Sequence, residues 1–129
     1  MIPTVISSTD IESARYPTLG DYFFKDGIRH FVITNTGDDV MDDLIFIHEF
    51  IEEVLTRNAG IPEEEILKHD LWVEEEIKKG NYPDDAEPGE HEKSPYKKQH
   101  LFAEKIEKMV AKKLGIDWKK YSNNLNKLI

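Results

Sequence analysis

His48, Glu49 and Glu52 lie inside an otherwise greasy run of helix length, Leu44-Ile45-Phe46-Ile47-His48-Glu49-Phe50-Ile51-Glu52-Glu53-Val54-Leu55. At 3.6 residues per turn, the spacing of His48 and Glu52 stacks an imidazole over a carboxylate on one face, with Glu49 roughly a quarter-turn away. A nitrogen donor, an oxygen donor and a carboxylate able to accept a proton, carried on one rigid element, are the parts of a metal centre with a general base. Advancing about 100° per residue, His48, Glu52, Glu49 and Glu53 fill one stripe interrupted by Ile45, and the rest of the circumference is apolar. The stripe is either a solvated face or, because so apolar a helix must be largely surrounded, a polar notch in a cleft.

Two further segments offer donors. In the run beginning at Glu63, Ile66, Val73 and Ile77 line one face, Leu67 and Leu71 extend it, and Asp70 falls inside the arc while His69 points off it. A carboxylate on an apolar arc needs a cation or several hydrogen bonds, so Asp70 is either a site residue or a tyrosine-bonded structural acid. Farther on, Phe102, Ala103, Ile106, Met109, Val110 and Leu114 form the expected core side of a third helix. His100 and Glu107, two turns apart, lie at its edge beside Ala103 and Ala111, with Glu104 rotated toward solvent.

These donors assemble into one proposal: His48, Glu52 and His100 as ligands, Glu49 as base, and Asp70 and Glu107 as orienting residues or alternative ligands. The chain contains no cysteine, so thiolate sites and disulfides are excluded. Imidazole and carboxylate without sulfur suit a divalent metal, zinc first, with manganese, iron or nickel as alternatives. A water in zinc's open position is acidified toward neutral pH, and Glu49 is placed to take its proton.

The elements that must position these residues follow from local pattern. Residues 1–18 form an irregular lead-in with one short strand at Thr4-Val5-Ile6. Asp21-Tyr22-Phe23-Phe24 and Ile28 to Thr34 flank an Asp26-Gly27 turn, a strong hairpin signal. An Asp near position 39 or 42 caps a helix running to about Asn58, and Gly60 supplies its left-handed terminus. Pro62 and Glu63-Glu64-Glu65 open a second helix that stops at Gly80. Asn81 to Lys93 reads as loop, either a ligand-bearing lid or a floppy acidic surface segment. Ser94-Pro95 caps a third helix through Leu114, and Asp117 starts a short last one containing Trp118, Tyr121 and Leu125, amphipathic enough to dock on the core.

With 129 residues, 39% hydrophobic and 33% charged, the chain is expected to be one domain, 1–129, of α+β class. A β-hairpin or small antiparallel sheet packs on three main helices and a short C-terminal one. Formal charge is −9, with residues 38–92 holding 19 acids against 4 bases and residues 93–129 holding 10 lysines against 3 acids. The acidic middle and basic tail attract each other, within the fold or between copies, and the balance disfavours nucleic acid as a partner. No basic-then-apolar leader and no membrane-length apolar run is present, so the expected location is cytoplasmic, with no membrane partner.

Arg15-Tyr16-Pro17-Thr18-Leu19-Gly20-Asp21-Tyr22, Ile47 to Glu52, Glu87-Pro88-Gly89, Ser94 to His100 and Leu114 to Trp118 together resemble a family of small, largely uncharacterised phage and prophage proteins. That resemblance covers most of the chain and implies a phage origin and a host-cytoplasm setting, without a reaction. The helix also resembles that of zincin metallopeptidases, whose His-Glu-x-x-His motif follows a strand that binds extended substrate. His48 and Glu49 match the first ligand and the base; Glu52 departs, standing where those enzymes have their second histidine. His69-Asp70 resembles the dyad of HD-type phosphohydrolases, but one residue faces inward and the other outward.

The leading expectation is a metal-binding, zincin-like protein, a hydrolase of peptide or amide bonds with substrate along the hairpin edge. One alternative is a non-enzymatic acidic phage accessory protein binding a host factor. Another is a magnesium-dependent nucleotide pyrophosphatase using Glu49, Glu52, Glu53, Glu104 and Glu107, against which the hairpin argues.

Overall fold

The computed structural model describes residues 1–128. The class is α+β, as expected: strands β1 (Thr4–Thr9), β2 (Gly20–Lys25) and β3 (Ile28–Thr34) precede helices α1 (Asp39–Asn58), α2 (Glu63–Lys78), α3 (Lys97–Lys113) and α4 (Trp118–Asn126). Short 3₁₀ turns occur at Ile11–Ser13 and Pro88–Glu90.

β2 and β3 form the expected hairpin. Asp26 and Gly27 both take positive φ, 53° and 77°, the pair of left-handed residues that a tight two-residue turn demands and that matches strand twist. The sheet as a whole is mixed rather than antiparallel. Its order is β1-β3-β2, and β1 runs parallel to β3. Alternation reports which side chains share a face and is silent about strand direction; residues 10–19 carry the chain across the sheet so that β1 lies on the side of β3 away from β2.

α1 packs against one face of the sheet. Phe31 of β3 is fully buried and meets Phe46 and Phe50 of α1, ring centroids 5.4 and 5.7 Å apart. The helix is capped by Asp38, whose carboxylate accepts from the Val40 and Met41 N–H groups. This displaces the expected cap from position 39 or 42: Asp39 is already helical, and Asp42 accepts instead from the Thr36 backbone and hydroxyl. Gly60 ends the helix at φ 73°.

On its other side α1 packs against α3, and here the expected core face of α3 holds only in part, at Ala103, which is buried, and Val110, which packs on the core. His100, Ala103, Glu107 and Ala111 are the buried residues, while Phe102, Met109 and Leu114 are 49%, 56% and 57% exposed. The fully buried Ala103 lets the two helix backbones approach closely, which larger side chains would forbid, and His100 and Glu107 turn inward because α1 supplies their polar partners. α3 also begins later than expected, at Lys97, with Ser94 accepting from the Tyr96 N–H rather than capping the helix directly. α4 docks as expected: Asp117 accepts from Lys120 N–H, and Tyr121 joins Leu44 and Ala111 in a small core. Among the described residues no helix is long and apolar enough to cross a membrane.

Candidate metal centre

α1 contributes His48 and Glu52, α3 contributes His100, and the three meet. His48 Nε2 lies 3.0 Å from Glu52 Oε2 and 3.2 Å from His100 Nδ1, and His100 Nδ1 lies 2.9 Å from the same glutamate oxygen. Donors bound to one zinc at about 2.0–2.1 Å with tetrahedral angles stand roughly 3.3 Å apart. The triangle is therefore about the size of one face of such a coordination polyhedron.

The remaining polar atoms of all three residues are tied down. His48 Nδ1 lies 2.8 Å from Glu107 Oε1, and the Tyr121 hydroxyl donates to the other Glu107 oxygen at 2.7 Å. His100 Nε2 lies 3.2 Å from Glu87, and the Tyr22 hydroxyl donates to Glu52 Oε1 at 2.9 Å. A ligating histidine ordinarily donates its other N–H to a carboxylate or carbonyl, which fixes the tautomer and ring orientation. Both imidazoles have such a partner. With their outer nitrogens protonated, the two inner nitrogens and the Glu52 oxygen are three acceptors in mutual contact, an arrangement that repels itself unless a cation or extra protons occupy the centre.

Protons can take that place, with consequences for pH. Burial pulls His48 down, but hydrogen bonds to Glu107 and Glu52 outweigh it and raise the imidazole to about 11. Burial likewise opposes Glu52 and Glu87 at His100, which is nonetheless raised to about 10. Glu52 is opposed by burial and held below the carboxylate range by His100 and His48. The imidazolium pair thus stabilises the metal-free fold fully below the unfolded histidine value of about 6.5, and that stabilisation is lost as pH climbs toward 10–11. Glu52 acts oppositely, stabilising above about 4.5 and failing in acid. Chelator-treated protein is therefore expected to melt at its highest temperature near pH 5–6 and progressively lower toward pH 9. Saturating zinc should flatten or reverse that alkaline decline, because the ion replaces the protons. Thermal melts across this range, with and without zinc, check it; a chelator-treated profile that rises to pH 9 would contradict the assigned protonation.

Glu49 stands apart from the triangle's hydrogen bonds. It is half-buried, and among the described residues its carboxylate has no hydrogen-bond partner. Burial first and the neighbouring Glu52 charge second push it well above the usual carboxylate range, which makes it a stronger proton acceptor than an ordinary glutamate. Gly20 of β2 lies directly against it, where a Cβ would overlap the Glu49 side chain. A missing side chain at position 20 is thus what lets the strand close over Glu49.

The loop from Asn81 to Lys93 is held by side-chain contacts to α2 and α3. His91 sits edge-on to Trp72 and Tyr82, and its Nδ1 accepts from the Lys93 N–H. His69 Nε2–H donates to the Pro88 carbonyl at 2.9 Å. These contacts fasten the loop to α2 and deliver Glu87 to His100, while Gly89 packs so closely on the His100 ring that a Cβ there would collide with it. His69 is therefore a loop anchor. Asp70 touches none of the three donors: its oxygens accept from Tyr16 at 2.9 Å and Tyr96 at 2.6 Å. Burial raises Asp70 to about 7 despite those bonds.

The donor triangle, Glu49, Glu87, Glu107 and Asp70 open onto one cleft of about 210 Å³, bounded by residues 15–22, α2, the loop and α4. Among the described residues its only Lys or Arg is Arg15, already paired through two nitrogens with Asp21 at 2.7 and 2.8 Å. So acidic an enclosure favours cations.

Sequence reasoning singled out His48, Glu49, Glu52, His100, Glu107 and Asp70; the structure gathers the first five around one point and places Asp70 apart, bonded to Tyr16 and Tyr96. It did not assign Glu87, Tyr22, Tyr121 or the two close-approach glycines. Proline, glycine and acid in Glu87-Pro88-Gly89 marked a turn, but nothing local said which side chain that turn would meet. Comparison with family models, curated proteins and solved structures returns no match.

Proposed function

We propose that His48, Glu52 and His100 hold a divalent metal, zinc first, in a zincin-like hydrolase of peptide or amide bonds. The observation that carries this is the donor triangle with both outer imidazole nitrogens engaged by carboxylates. Two histidines and one glutamate are a donor set that catalytic zinc commonly uses, leaving a position open for reaction. The departure at Glu52 is offset by His100, so the set contains two imidazoles although the helix motif contains one.

An ion held there supplies Lewis acidity toward a carbonyl and makes water more acidic. Glu49 takes a proton from the attacking water and returns it to the leaving amine. Glu107 and Glu87 hold the two imidazoles in orientation, and Tyr22 fixes Glu52. The Thr34 N–H bonds the Leu19 carbonyl, so alternation along β2 leaves the Tyr22 backbone groups facing outward, beside the cleft. An extended substrate bonded to that edge would pass the base.

Elemental analysis of untagged protein is expected to find one zinc, or another transition metal, per chain, and none in His48→Ala/His100→Ala. Wild-type protein that is empty and also ignores added zinc, manganese and iron would falsify the metal centre and leave the acidic binding-protein reading.

A further inference from the structure

The free edge of β1 is the most exposed apolar strand surface in the described chain. Val5 and Ile6 are 45% and 58% exposed. Arg29 N–H bonds the Pro3 carbonyl and Asn35 N–H bonds the Thr9 carbonyl, so in this parallel ladder the odd-numbered residues face β3. Thr4, Ile6 and Ser8 therefore direct both backbone N–H and C=O outward. Protein sheets usually blunt such an edge with charge, proline or a bulge. None operates here: residues 1–9 contain no charged side chain, and the one proline, Pro3, precedes the strand.

We propose that β1 pairs antiparallel with β1 of a second copy, joining two three-stranded sheets into one of six strands. The edge matches itself. In a two-fold pairing centred on Ile6, the two Ile6 residues face each other and exchange both backbone bonds, while Thr4 lies opposite Ser8 of the partner subunit on either side. Thr–Ser neighbours can hydrogen-bond across strands and the central isoleucines cover one another. Charge also selects this edge: the chain carries −9, so two copies repel through their acidic faces and approach most easily along a strand with no charge. The pairing is independent of any metal.

Light scattering on the full chain should give twice the 15.0 kDa chain mass at high concentration, falling on dilution. Amide hydrogen exchange gives the register. Thr4, Ile6 and Ser8 should exchange at least about tenfold faster in dilute protein, whereas Val5 and Ser7, bonded to β3, stay protected throughout. Ile6→Lys places two ammonium groups directly opposite and is expected to be monomeric with an unchanged circular dichroism spectrum. If that variant misfolds, Ser8→Pro decides, since it removes only an outward N–H. A protein that is monomeric at every concentration overturns the proposal. So does a dimer in which the Thr4, Ile6 and Ser8 amides remain unprotected.

Discussion

Glu49→Gln is expected to lower hydrolysis of an internally quenched peptide library by about 10²–10⁴-fold, the usual contribution of a positioned base, with metal content unchanged. Glutamine keeps the volume and the fit against Gly20 while removing the ability to take a proton. Because Glu49 is not part of the donor triangle, the ion should remain. The split between activity and metal content separates a catalytic role from a ligating one: a variant that loses its metal makes Glu49 a ligand, and one with wild-type turnover removes it from the chemistry. Glu107→Gln should behave differently. It replaces the carboxylate that faces His48 Nδ1, so metal affinity should fall by about 10–100-fold, as for other partners of ligating histidines.

The largest expected loss of stability lies away from the site. Arg29 and Glu53 are 5% and 2% exposed and meet at 2.7 Å between β3 and α1. Arg29 also donates to the Thr4 hydroxyl and lies over the Phe31 and Phe50 rings. Arg29→Ala strands the Glu53 charge in the interior with only the partly exposed Arg57 to answer it, and should cost about 3–5 kcal/mol. For a chain of this length that is a fall in melting temperature of roughly 10–20 °C. Arg29→Met combined with Glu53→Leu should recover most of it, since the penalty comes from an uncompensated charge rather than from the absence of an ion pair. A double variant as unstable as Arg29→Ala would show instead that packing around the guanidinium dominates.

Glu53 illustrates how far pattern reaches. It belongs to the same helical stripe as His48, Glu49 and Glu52, yet the four acquire different fates: Glu53 is neutralised by Arg29, Glu52 and His48 face α3, and Glu49 faces the cleft beneath Gly20. Periodicity places a residue on a face to within a quarter-turn, and the neighbouring element divides that face further.

What is local in cause was readable in the amino acids themselves. Asp26-Gly27 sets a hairpin because few other pairs tolerate two left-handed residues, Gly60 and Gly80 end helices for the same reason, and the four-residue spacing of His48 and Glu52 follows from helical pitch alone. The direction of β1, the inward turn of α3 and the meeting of His48 with His100, 52 residues away in sequence, were decided by packing. An apolar face made of Phe102, Met109 and Leu114 competes with one made of His100, Ala103, Glu107 and Ala111. The second wins because small side chains admit the α1 backbone and because each buried donor and acceptor finds its partner on another element. Which partner waits there depends on contacts between distant segments, and no window of residues contains that information.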